Sequence, residues 1–198
     1  PERKKRYLWL MFTGMGVIIA AFLFSFHNQQ RLQPETIHQL LQQRFTEKEQ
    51  QLDAYISNII ESDLQDIHSL LDYCKTNKIN EEEFVFYVYH KDELKAWSSN
   101  IIFLPSRWNN RMTQIEGLVQ LDRKSLYAKQ QQYGEVKVLG MYVLQDPHSF
   151  DAPYLKLNPF HTYSGINIST PDNSEGDYLI ANREKQAVFS LEMPARIK

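Results

Sequence analysis

Cysteine is nearly absent from this chain of 198 residues: Cys74 stands alone. It cannot close an internal disulfide, and its place on an apolar helical stripe makes it a small hydrophobe rather than a reactive thiol. Glycine (7) and proline (8) are scarce as well, which excludes a collagen-like or low-complexity chain. There is no glycine-rich phosphate loop, no G-x-S-x-G elbow, no H-E-x-x-H and no C-x-x-C. P-loop nucleotide chemistry, serine-hydrolase chemistry and zincin-type proteolysis therefore lack their carriers. No catalytic residues and no cofactor are expected.

An excess of basic charge is missing too. The formal net charge is −2, and four of the 22 basic residues (Arg3, Lys4, Lys5, Arg6) lie at the extreme N-terminus beside Glu2. The remainder holds 18 basic and 23 acidic side chains, a balance of −5. A weakly acidic body excludes nucleic acid as a partner, because phosphate binding needs clustered Lys and Arg. His148, Asp151 and His161 have a spacing that matches no standard metal site. Glu81-Glu82-Glu83 reads as a solvated turn, so no metal is expected. Lys91-Asp92-Glu93-Leu94 is internal and so is no retention signal.

What the chain does contain is one long uncharged run, Tyr7 to Phe26. At 1.5 Å per residue it reaches about 30 Å, the thickness of a hydrocarbon core. Trp9 and Tyr7 stand near one end, as interfacial aromatics do. The run is longer than a signal-peptide core and is followed by Phe26-His27-Asn28-Gln29-Gln30, which offers no cleavage site. Residues 7–26 are thus expected to be a retained transmembrane helix. The basic flank, 1–6, is then cytoplasmic by the positive-inside rule, and everything after residue 27 is extracytoplasmic.

Residues 27–80 are expected to be a helical stalk. Ile37, Leu40, Leu41, Phe45, Leu52, Tyr55, Ile56, Ile59, Ile60, Leu64, Ile67, Leu70, Leu71 and Cys74 recur at three- and four-residue steps. Pro34 before Glu35 suits a helix start. A single helix of that extent would span about 60 Å, with a possible break near Thr46-Glu47-Lys48-Glu49, where the apolar stripe thins. The stripe can pack on the chain's own sheet or pair with a second copy in a homodimer, and both can hold along different parts.

From Phe84 the period changes to two. Strands are expected at 84–90, 93–99, 116–122, 126–134 and 136–146, then at "GINIST", "DYLIAN" and "AVFSLEM". A long helix followed by antiparallel strands predicts an α+β domain over 81–198, with helix covering one face of the sheet. Phe84, Phe86, Val88 and His90 fall on one face of the first strand, and Val85, Tyr87 and Tyr89 on the other. Polar-tipped aromatics and a guanidinium can line a small-molecule pocket, which makes Tyr87, Trp97, Arg107, Trp108, Tyr133 and Tyr142 the candidate ligand-binding residues. The competing assignment for Trp97 and Tyr142 is simple core packing.

Several short motifs occur in order: Trp97-Ser98-Ser99-Asn100, Ile101 to Pro105, Gly140 to Leu144, Tyr154-Leu155, Leu157 to Phe160, and Val188 to Leu191. The chain in this respect resembles the extracytoplasmic sensor region of Bacteroidetes-type transmembrane sensor histidine kinases. The resemblance implies a PAS- or Cache-like sensing domain, a homodimer, a small-molecule or protein ligand, and location in the inner membrane. It further implies a second span and a kinase core beyond Lys198. The implied function is the input of a two-component system. The alternative from another class is a single-pass envelope scaffold or assembly adaptor that binds another protein.

Overall fold

The computed structural model describes residues 15, 34–62, 64–80, 83–100, 102–107, 116–121, 123–146, 166–171 and 178–193. The expected transmembrane run, 7–26, lies outside them apart from Met15, as do Trp108, His148, Asp151 and His161. Among the described residues no helix is long and apolar enough to cross a membrane. The chain divides into two compact units, Pro1–Leu40 and Leu41–Lys198. The described part of the first is Met15 and a helical stretch from Pro34.

Helix α1 spans Pro34–Glu61 and α2 spans Ile67–Thr76. The expected single helix is therefore two, and the break falls at 62–66 rather than at 46–49. No glycine or proline makes it. Leu64 N–H closes back on the Ile59 carbonyl, and Asp66 then opens α2 as its N-cap, accepting from the His68 and Ser69 amides at 3.0 Å each. A carboxylate in that position satisfies donors that the helix itself leaves free. At its far end α2 closes with Ile79 N–H on the Cys74 carbonyl and Lys78 N–H on the Lys75 carbonyl. Lys78 takes the left-handed conformation there, φ 53°, a position usually given to glycine.

Five strands form an antiparallel sheet in the order β2-β1-β5-β4-β3: β1 (Phe84–His90), β2 (Glu93–Trp97), β3 (Gly117–Leu121), β4 (Lys124–Tyr133) and β5 (Val136–Gln145). Three shorter strands, β6 (Asn167–Ser169), β7 (Tyr178–Ala181) and β8 (Ala187–Glu192), form a second sheet in the order β6-β8-β7. The expected α+β class is observed, with every described strand pair antiparallel. β1 falls on its expected span, and the ends of the other strands lie within two residues of theirs. Two-residue turns set the register: Lys91 and Asp92 both have positive φ (51° and 63°), and Gly134 has φ 58°. Positive φ at the first central residue matches the twist of the flanking strands.

Beyond residue 40, the buried positions of α1 are Leu41, Phe45, Glu49, Leu52, Ile56 and Ile59. This stripe lies on the protein's own sheets. Tyr55 meets Phe84 and Phe86 edge-on, at 5.4 and 6.0 Å between ring centres. Phe45 meets Tyr127 of β4 at 4.9 Å and Phe189 of β8 at 5.3 Å. Of the two roles open to the helix, packing on its own sheet is the one seen from Leu41 to Glu61. Gly140 of β5 makes the approach possible, because a Cβ there would stand 2.8 Å from both Leu52 Cδ1 and Ile56 Cδ1. Helix α2 packs against β2 and buries Leu70 and Cys74.

Candidate functional site

Strand β1 is aromatic on both faces and buried on both. Its Phe84, Phe86 and Val88 face α1. Its Val85, Tyr87 and Tyr89 face the other way and join Leu126, Ala128, Leu139, Met141 and Val143 in a second apolar cluster. Ile102 is buried in that cluster, and Leu104 packs against it. The segment Ile102–Arg107 thus lies as a strap on the sheet face away from α1.

The strap is attached by hydrogen bonds as well as by apolar contact. The Tyr87 hydroxyl donates to the Ile102 carbonyl, and the Tyr89 hydroxyl to the Pro105 carbonyl at 3.1 Å. Leu94 N–H donates to the Ser106 carbonyl at 2.8 Å, and Glu93 bridges to Arg107. Burial raises both phenol pKa values, that of Tyr89 to about 12. Both therefore remain donors at neutral pH. At the start of the strap, Ser98 exchanges hydrogen bonds with Phe86 through its N–H and Oγ, both at 2.9 Å. Trp97 Nε1 donates to Asn100 Oδ1 at 2.8 Å.

The six candidate residues do not form one constellation. Tyr87 and Trp97 are register partners on β1 and β2, and both pack in the strap-covered cluster. Arg107 ends the strap with its side chain 82% exposed, 3.9 Å from Glu93. Tyr142 is fully buried on the opposite face, against Phe84 at 5.5 Å. Tyr133 lies at the β4–β5 turn and is 76% exposed. Trp108 is outside the described residues.

A second polar centre escaped the sequence reading. Glu49 is 1% exposed on the buried stripe of α1. It accepts from the Tyr127 hydroxyl at 3.0 Å and from Arg183 N–H at 2.9 Å, with Lys129 Nζ at 3.7 Å. Asp53, one turn on, lies 2.9 Å from Lys129 and 3.5 Å from the Arg183 guanidinium. Desolvation acts to lower the Lys129 pKa, but the Asp53 hydrogen bond and the Asp53 and Glu49 charges outweigh it and hold the ammonium above its ordinary range. Gln42 completes the row by pairing with both backbone groups of Ala181, at 2.8 and 2.9 Å. One signal was available: the stripe thins at 46–49 because a carboxylate takes the inward position between Phe45 and Leu52.

Among the described residues no cluster of His, Cys, Asp and Glu could hold a metal ion. No protein-family model, curated protein or solved structure matches the chain.

Proposed function

We propose that the chain is the signal-input region of a membrane-bound two-component histidine kinase, anchored by residues 7–26 in the inner membrane with its body in the periplasm. The observation that carries this reading is the strap. An apolar sheet face is closed by one short segment, held through two phenol hydroxyls that point at backbone carbonyls. A ligand with an apolar body and acceptor oxygens could take the place of Ile102 and of the carbonyls that Tyr87 and Tyr89 now satisfy. An antiparallel sheet in the order β2-β1-β5-β4-β3, entered from a long helix on its other face, supports a PAS- or Cache-like domain. The homodimer belongs to the same proposal.

The test is a thermal-shift screen of the full chain in detergent against apolar carboxylates and amides. A ligand selective for the native state raises the melting temperature. Trp97→Ala is expected to abolish that shift and to leave the unliganded chain folded, since Trp97 is only half-buried. A shift that survives Trp97→Ala places the ligand elsewhere.

A second reading, an envelope adaptor, rests on Phe103 and Tyr133, large apolar side chains that are 81% and 76% exposed. A reading frame that continues past Lys198 into a second apolar span and a kinase core supports the sensor. One that stops there favours the adaptor.

A further inference from the structure

We infer that Gln42, Glu49 and Asp53 form a register clamp that fixes the axial position of α1 against the β7–β8 turn. The three residues sit on one side of the helix, at steps of seven and four. Each reaches the same short stretch of chain: Gln42 holds Ala181 by both backbone groups, Glu49 holds Arg183 N–H, and Asp53 faces the Arg183 guanidinium. The turn is itself stiff. Gln186 N–H donates to Asn182 Oδ1 at 2.8 Å, Asn182 N–H to the Gln186 carbonyl at 2.9 Å, and Lys185 N–H to the Asn182 carbonyl at 2.9 Å.

The chemistry of the contact sets what it can do. Apolar packing is non-directional, so by itself it defines the axial position of a helix less sharply than a hydrogen bond does. Hydrogen bonds to one amide and one carbonyl are directional and define a single register. A buried carboxylate is costly unless every lone pair finds a partner. Glu49 finds its partners on two elements at once, Tyr127 on β4 and Arg183 at the β7–β8 turn. Any axial slip of α1 strands that carboxylate, so helix, five-stranded sheet and C-terminal hairpin move together or not at all. In the sensor, and resting on that reading, this is the contact through which movement of the hairpin reaches the helix. The clamp itself stands without a ligand.

Spin labels test it in the full chain, with the buried Cys74 replaced by Ala. One pair, Gln50→Cys with Glu184→Cys, spans α1 and the turn. A control pair, Lys95→Cys with Gln132→Cys, lies within the five-stranded sheet, on exposed positions of β2 and β4, and does not include α1. In the clamped chain both pairs give a single narrow distance distribution. Glu49→Gln keeps the shape but removes the charge and one acceptor, and Gln42→Met removes both bonds to Ala181. Each is expected to broaden or shift the first distribution and to leave the control narrow. The inference is overturned if the first distribution stays narrow in both variants, or if both pairs broaden together. Should Glu49→Gln fail to fold, Gln42→Met alone decides. No ligand is needed for this measurement, so a failed ligand screen and a failed clamp are separate results.

Discussion

Gly140 shows how much a single side chain controls. Leu52 and Ile56 are fully buried and straddle its Cα, each 2.8 Å from where a Cβ would be. Neither can swing into solvent to make room. Gly140→Ala is expected to destabilise the domain by about 1–3 kcal/mol, checked by urea denaturation, with the helix-to-sheet distance rather than the strand as the part that gives. A substitution with no loss of stability would mean that α1 lies further from the sheet. Tyr87 and Tyr142 illustrate the opposite limit of residue-level reasoning. Both are polar-tipped aromatics of similar sequence context, yet they fall on opposite faces of one sheet. One anchors the strap and the other fills the space under α1.

At the level of elements, local chemistry accounts for the helix break. Asp66 caps α2, and the Ser69 hydroxyl and the Ser69 and His68 amides hold its carboxylate below the ordinary range. A carboxylate with a depressed folded-state pKa contributes its stability above the unfolded value of 3.8 and loses it as pH falls through the folded one. Asp66→Ala is therefore expected to speed amide exchange in the first turn of α2 at neutral pH. Below pH 3.8 the difference from the parent chain should narrow as the parent cap protonates. Equal exchange at neutral pH would show that packing on β2, not the cap, starts the helix. The strand periodicity from Phe84 onward was plain in sequence because each strand alternates between two faces. The strap was not, since Ile102 and Leu104 owe their burial to Tyr87 and Tyr89 on another element.

For the whole molecule, three buried tyrosines link stability to alkaline pH. Burial raises the pKa of Tyr87, Tyr89 and Tyr127, and the Glu49 charge and hydrogen bond add to the rise at Tyr127. In the unfolded chain these phenols ionise near 10.0. Between that value and the raised folded values the unfolded state binds fewer protons, so stability falls as pH rises. The melting temperature is expected to be insensitive to these groups below pH 10 and to drop steeply from 10 to 12. Tyr89→Phe should make that drop shallower, and an unchanged slope would remove Tyr89 from the account. One helix joins the two sheets: Phe45 of α1 meets Tyr127 of β4 and Phe189 of β8, and Glu49 links Tyr127 to Arg183 in the β7–β8 turn.

The sequence by itself determined the element types, the antiparallel α+β class, and the two faces of β1, because hydrophobic periodicity is a local property of the chain. It also marked 46–49 as unusual without saying why. Only the tertiary structure decided that α1 runs unbroken through that point. An inward carboxylate is tolerable on an apolar stripe only when donors from distant segments, Tyr127 and Arg183, arrive to satisfy it. No local pattern encodes their arrival. The same reason divides the candidate aromatics between a strap, a core and an exposed turn: their partners lie far away in sequence and close in space.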